Sequence, residues 1–283
     1  MRVLRTRDDV REWRGGAGSV GFVPTMGALH AGHLSLVERS RRDNDATIVS
    51  IFVNPTQFGP NEDLAAYPRR EREDLALLEM ARTNAAFVPS VDEIYPKGDD
   101  ARVDPGAIAA PLEGAARPGH FVGVATVVSR LFDIVRPDVA YFGQKDFQQL
   151  RVLQTMARRR FPQIRVVGCP IIREDDGLAM SSRNAYLSAA ERREALALSR
   201  GLRAAQELWQ RGERDAERLR AEVREALAGA HGVALEYVSA ADPVDLHELH
   251  GRADRAVISL AARVGKARLI DNVLLGMDVS ELS

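Results

Sequence analysis

Residues 19–53 read SVGFVPTMGALHAGHLSLVERSRRDNDATIVSIFV. The reading of this stretch decides the fold. Residues 19–23 are a short apolar run and predict a strand. Residues 47–53 (TIVSIFV) are β-branched and apolar almost throughout, as suits a strand buried on both faces. Residues 33–42, between them, have a helical pattern. The alternation continues along the chain. Residues 85–88, 139–142 and 164–167 are further strand candidates. Residues 69–82 set Leu75, Leu78 and Arg82 at helical spacing. Residues 123–135 align Val124, Val127, Val128, Leu131 and Ile134 on one side, and residues 147–160 align Phe147, Leu150, Leu153 and Ala157. Strands alternating with helices predict an α/β fold, a doubly wound parallel sheet.

The pattern changes beyond Ile172. Ser188 is a plausible N-cap with Glu191 at capping-box spacing. An Ala/Leu/Arg/Glu helix should follow to Gln210, and a second should cover residues 214–230. Three β-like runs come next, at 233–239, 256–262 and 267–275. Helices followed by strands predict a smaller α+β domain. The expected domains are therefore residues 1–171 and 172–283, the second closing over a site on the first.

The 283 residues are enough for such cores, and a hydrophobic content of 45% is ordinary for a globular protein. The formal net charge of −1 gives no global pull towards nucleic acid or anionic membrane. The single cysteine, Cys169, excludes an internal disulfide and a Cys-rich zinc site, and its apolar neighbours predict a buried, inert thiol. The first fourteen residues lack the apolar core of a signal peptide, and no run reaches the ~18 apolar residues of a membrane span. The expected location is the cytoplasm.

Polar clusters follow four of the candidate strands. The first ends in Met26, Gly27, Ala28, Leu29, His30, Ala31, Gly32 and His33, a His-x-Gly-His opening a helix. Gly32 lets a base or phosphate approach the backbone, and a helix N-terminus should offer N–H groups and a positive dipole end. His30 and His33, three apart, can present two donors on one face. The second cluster holds Asn54 and Gln57, neutral groups that both donate and accept, suited to a small hydroxylated acid. The third holds Gly143, Gln144, Lys145 and Asp146, then Gln149 four residues beyond Lys145. Lys145 supplies a mobile positive charge for phosphates. The fourth runs from Ile172 through Met180, Ser181, Ser182 and Arg183, where adjacent hydroxyls beside an arginine make a phosphate clamp. In open parallel sheets ligands bind outside the carboxyl ends of the strands. The Gly-rich dinucleotide fingerprint and the Walker-type P-loop are both missing, so nicotinamide dehydrogenases and P-loop kinases are poor readings.

At these residues the sequence resembles the pantothenate synthetase family. The resemblance runs through residues 24–33 (PTMGALHAGH), 52–60 (FVNPTQFGP), Tyr67, Pro68 and Arg69, then 117–121 (RPGHF), 141–149 (YFGQKDFQQ) and 177–186 (GLAMSSRNAY). It covers nearly the whole chain. It implies a Rossmann-like fold of the HIGH-motif nucleotidylyl-transferase type, with Met180 to Arg183 as the second half-motif. Serine stands there where the wider pattern has lysine, so the charge rests on Arg183 and Lys145. The resemblance further implies ATP binding by Met26 to His33, by Gly143 to Asp146, and by Ile172 and Met180 to Arg183. His33 would be a proton donor and His30 a phosphate ligand. Lys145, Ser181, Ser182 and Arg183 would join them in catalysis. Gln57 and Gln149 would hold pantoate, with Gln57 also near β-alanine and with lesser contributions from Asn54 and His120. Mg²⁺ would accompany ATP. Its protein ligands are unknown, and Glu73 and Asp74 read more readily as a solvated helix face than as ligands. A homodimer is implied, and neither a nucleic-acid nor a membrane partner is expected. Two rival readings are a nucleotidyltransferase that stops at a nucleotidylated product and a non-catalytic nucleotide-binding module.

Overall fold

The computed structural model describes residues 1–60 and 62–282. The chain divides into two compact units. One comprises Met1–Gly143 with Gln148–Cys169, the other Gln144–Phe147 with Pro170–Leu282. The sequence reading sets the four-residue segment Gln144–Phe147 in the first domain, whereas it clusters with the second unit. Ser283, the last residue of the second expected domain, lies outside the described residues.

The first unit is built on six strands: β1 (Arg2–Leu4), β2 (Val20–Thr25), β3 (Ala46–Ile51), β4 (Ala85–Phe87), β5 (Val139–Gly143) and β6 (Arg165–Cys169). Their order is β1-β4-β3-β2-β5-β6, and every pairing is parallel. Its helices are α1 (Arg7–Gly15), α2 (Ala31–Asp43), α3 (Glu71–Met80), the short α4 (Val91–Ile94) and α5 (Glu113–Ala116), α6 (His120–Val135) and α7 (Phe147–Arg160). The period-two geometry of the strands serves two layers. Val23, Val49 and Tyr141 share one core with Leu36 and Val37 of α2 and Leu78 of α3. Phe22, next to Val23, packs edge-on against Phe132 of α6 at 6.4 Å, and Phe132 does the same with Phe161 at 5.5 Å. β3 is buried at every position, as its β-branched run predicts. From β2 the chain builds outward to β3 and β4, then crosses back to β5 on the other side. That reversal makes the carboxyl ends of β2 and β5 the place for a ligand.

Several expectations shift. β1 and α1 are additions to the sequence reading. α2 begins two residues before the expected start and α6 three. α3 stops at Met80, and Arg82 adopts a positive φ of 54°. Arg82 therefore lies beyond the end of the helix, not on its apolar stripe. Lys145 lies in the 3-10 turn Gln144–Asp146 ahead of α7, so the α-helical spacing that would align it with Gln149 does not apply.

In the second unit α8 (Ala189–Gln210) starts at Ser188. The Ser188 hydroxyl accepts from the Glu191 N–H and the Glu191 carboxylate from the Ser188 N–H, the expected capping box. α9 (Ala216–Leu227) follows. β7 (Val233–Ala241), β8 (Ala256–Val264) and β9 (Ala267–Leu275) form an antiparallel meander in that order. Leu198 and Leu202 of α8 and Leu219 and Val223 of α9 share a core with Val238, Ile258 and Leu260 of the sheet.

Candidate active site

The start of α2 is organised by its own histidines. His30 is the N-cap, and its Nδ1 accepts from the Gly32 N–H at 3.2 Å. His33 Nδ1 accepts from the His30 N–H at 3.3 Å. This is a capping box in which two imidazoles take the roles that Ser and Glu take in α8. The rings lie 4.1 Å apart between centroids, tilted by 37°. An imidazole nitrogen that accepts carries no proton, so each ring is neutral with its proton on Nε2. The pair thus caps the helix through its Nδ1 edges.

The turn before the cap is held from below. Gly27 and Ala28 take positive φ values of 80° and 50°, and the second is strained for a residue with a Cβ. Asp74, 2% exposed in the first turn of α3, accepts from the Ala28 N–H at 2.9 Å and from the Leu29 N–H at 2.7 Å. Burial pushes the Asp74 carboxyl up from its ordinary value, and the two N–H bonds offset part of that rise. Thr25 Oγ1 accepts from the Gly27 N–H, and His30 O accepts from the N–H groups of His33 and Leu34. The N–H groups of Gly27, Ala28, Leu29, His30, Gly32, His33 and Leu34 are therefore all engaged within the protein. The sequence reading expects open N–H groups at this helix start. The same bonds correct the solvated-face reading of Asp74, while Glu73 beside it is exposed.

Gln57 sits in the 3-10 turn Pro55–Gln57 after β3, at the centre of a polar network. Its Oε1 accepts from Asn54 Nδ2 at 3.1 Å, and its Nε2 meets Met26 Sδ at 3.1 Å. Asn54 is 1% exposed. Its amide also donates to Gly123 O, while its Oδ1 accepts from the Thr56 N–H and hydroxyl and from Tyr95 OH. His120 Nδ1 donates to Gln57 O at 2.8 Å, which leaves Nε2 to accept from Arg117 at 3.0 Å. Arg117 is itself gripped by both carboxylate oxygens of Glu62, at 2.7 and 2.6 Å. Burial, reinforced by Arg117, lowers the His120 pKa to about 4. The Glu62 carboxyl, raised by burial but lowered more by Arg117, ends below its ordinary value. Asn54 and His120 both hold the Gln57 turn through their polar atoms. α6 can lie against this turn because Gly123 has no side chain. A Cβ there would sit 2.3 Å from Thr56 O. Gln149 is half-buried on α7, whereas its neighbour Gln148 is consumed structurally by Glu113 N–H and the carbonyls of Ile108 and Pro111.

In the second unit, Ser181 caps the 3-10 turn Ser182–Tyr186, its Oγ accepting from the Arg183 N–H at 3.2 Å. The Met180 N–H donates to Ile172 O. Asn184 ties Ala179 O to Glu174, and Glu174 and Asp176 both pair with Arg192 of α8. Arg173 forms a two-pronged ion pair with buried Asp271 of β9, at 2.7 and 3.0 Å. Next to it, Asn272 bonds the turn that carries Gln144 and Lys145. Cys169 is buried and its thiol is pushed up to about 11 by desolvation, which makes it the inert thiol expected. Sequence reasoning misread Asp74 and passed over Asp271 and Asn272. Each is a polar residue inside an ordinary helix or strand pattern, and no local spacing distinguishes it.

An open parallel sheet with a His-x-Gly-His helix cap at the carboxyl end of its central strand defines the class, an α/β protein of the HIGH-motif nucleotidylyl-transferase type. The model of the pantoate-beta-alanine ligase family matches residues 2–274. The pantothenate synthetase of Roseiflexus castenholzii is 55% identical over 97% of this chain and 99% of its own length. The crystal structure of pantothenate synthetase from Thermus thermophilus superposes with a TM-score of 0.90 at 46% identity, covering 96% of this chain and 99% of that one. A pantoate-beta-alanine ligase from Francisella tularensis, crystallised with beta-gamma ATP and beta-alanine, gives a TM-score of 0.81 at 35% identity over 99% of this chain and all of that one. The chain belongs to the pantoate–β-alanine ligase family.

Proposed function

We propose that the chain condenses pantoate with β-alanine at the expense of ATP, through a pantoyl-adenylate. The observation that carries this reading is the His30–His33 capping pair at the start of α2, at the carboxyl end of β2, in a chain matched over nearly its full length to ligases of this reaction. The pantoate carboxylate is ionised near neutral pH and needs no strong base. It attacks the α-phosphorus, and pyrophosphate leaves. The barrier is lowered by alignment and by donors aimed at the charge that develops on the phosphoryl oxygens. His30 and His33 supply such donors through Nε2. Lys145, Ser181, Ser182 and Arg183, all in the second unit, are the cationic and hydroxyl groups assigned to the triphosphate. Met26 to His33, Gly143 to Asp146 and Ile172 complete the assigned nucleotide contacts. Gln57 and Gln149 are assigned to pantoate, with Asn54 and His120 holding Gln57. The neutral amine of β-alanine then attacks the acyl carbon, a proton leaves the nitrogen, and AMP departs. Water must be excluded or the adenylate hydrolyses, and closure by the 172–283 domain is part of the proposal.

Mg²⁺ enters with the nucleotide. When bound, it would neutralise charge on the pyrophosphate. Both oxygens of Asp74 already accept backbone N–H groups, so Asp74 fits a metal poorly, and among the described residues no group of three or more His, Cys, Asp or Glu could hold a metal ion. A homodimer and a cytoplasmic location are also proposed, supported by the family resemblance. Among the described residues no helix is long and apolar enough to cross a membrane.

The test measures pyrophosphate release from ATP and pantoate, with and without β-alanine, together with amide formation. His33→Ala should slow release by roughly 10²-fold or more. Pyrophosphate release without any β-alanine-dependent amide would mark an enzyme that stops at the adenylate. Nucleotide binding without turnover would mark a binding module.

A further inference from the structure

We propose that Asn272 is a positioning residue for the ligation, acting through Lys145. The inference deepens the reading above and rests on its assignment of Lys145 to the triphosphate. Asn272 lies on β9, 127 residues from Lys145 in sequence, and is 3% exposed. Its Nδ2 donates to the carbonyls of Gln144 and Lys145, at 3.0 Å each, and its Oδ1 accepts from Gln144 Nε2 at 3.1 Å. One amide thus fixes two consecutive peptide planes, those on either side of Lys145, and the Gln144 side chain. Gln144–Asp146 is a single 3-10 turn without the long hydrogen-bond ladder that would hold it by itself. The turn clusters with the second unit although it interrupts the first in sequence, and these bonds tie it to β9.

The preceding residue does similar work on the other cluster. Asp271, also 3% exposed, holds Arg173 through two bonds, and Arg173 Nη1 reaches Gly177 O at 3.2 Å. The Met180 N–H closes on Ile172 O at 3.0 Å. Two consecutive residues of one strand therefore hold the Lys145 turn and the base of the loop leading to Arg183. Packing alone does not call for an amide and a carboxylate in a buried strand, where desolvation disfavours both unless partners are supplied. Their partners here are the backbone of the Lys145 turn and the arginine at the base of that loop. A flexible lysine places its ammonium only as well as its Cα is placed, and misplacement by about 1 Å can cost up to ~10²-fold in rate.

The experiment is a double-mutant cycle on the full chain, read as kcat/KM for ATP in pyrophosphate release. Asn272→Ala should lower it by roughly 10- to 10²-fold. Asn272→Asp, which turns a carboxylate towards two carbonyls, should lower it at least as far. In a Lys145→Ala background the further loss from Asn272→Ala should be within ~2-fold, because the residue acts through Lys145. Losses that multiply, or an Asn272→Ala enzyme with wild-type kcat/KM, overturn the proposal. If Asn272→Ala does not fold, Asn272→Ser carries the cycle. If neither folds, the role is structural and the proposal falls. A Lys145→Ala enzyme at the wild-type rate removes the Lys145 assignment and this inference with it, leaving ligation intact. A wild-type chain that releases no pyrophosphate instead removes the proposed function as a whole.

Discussion

His30 and His33 each do two jobs with one ring, and the jobs can be separated. Nδ1 caps the helix and Nε2 carries the proton. Asparagine is a good N-cap, and its Oδ1 can stand in for Nδ1. His30→Asn is therefore expected to leave stability within about 0.5 kcal/mol of wild type while pyrophosphate release falls by roughly 10²-fold. Chemical denaturation beside the activity assay checks both halves, and a variant that loses stability but keeps its rate would make the pair a cap and nothing more. Asp74 belongs to the same scale. Asp74→Ala strands the buried N–H groups of Ala28 and Leu29, and a loss of about 2–4 kcal/mol in unfolding free energy is expected. His120 brings a pH dependence. Its folded pKa lies below its ordinary value, at about 4, so between there and about 6.5 the unfolded chain binds a proton that the folded chain does not. Stability is thus present above that window and is lost as pH falls through it, by up to ~3 kcal/mol. Urea midpoints measured across pH 4–7 should show this slope in the wild type and a shallower one in His120→Gln.

At the scale of elements, periodicity made the long segments legible. α7 and β9 match the expected bounds residue for residue, and α8 starts at its capping box and ends at Gln210. Each buries a stripe or face whose spacing is visible in the residues themselves. β1 and α1 were not legible for the opposite reason. β1 has three residues, of which only Leu4 is buried, and α1 is a charged helix that buries only Val10 and Trp13. The Thr6–Asp9 capping box was the one local signal available there. The meeting of α6 with the Gln57 turn gives a prediction at this scale. Gly123→Ala drives a Cβ towards Thr56 O, and that carbonyl belongs to backbone which cannot rotate away. The helix must shift, at an expected cost of about 1–3 kcal/mol. KM for pantoate should rise while KM for ATP changes less. Equal effects on both substrates would argue against Gln57 as a pantoate ligand.

For the whole molecule, the chain order of the four polar clusters was readable, because each follows a strand and parallel strands point the same way. What holds the clusters in shape was not readable. A fragment ending at residue 171 would keep the strands of the parallel sheet but lose Ser181, Ser182 and Arg183 together with Asn272, the partner of the Gln144 and Lys145 carbonyls. It is expected to retain helical and strand signal by circular dichroism and to release no pyrophosphate. Release at the full rate would show that Lys145 needs nothing beyond residue 171.

The amino-acid sequence by itself determined the alternation that makes the parallel sheet, the place of His30 and His33 at a helix start, and the family to which the chain belongs. These are local patterns, read within a few residues or a helical turn. Only the tertiary structure decided which edge of each imidazole faces its own helix. It also decided that Asp74 is a buried acceptor for the Ala28 and Leu29 N–H groups, and that Asn272 grips a turn 127 residues away. Those depend on polar groups that desolvation forces to find partners wherever the fold brings them, and no spacing along the chain encodes such a meeting.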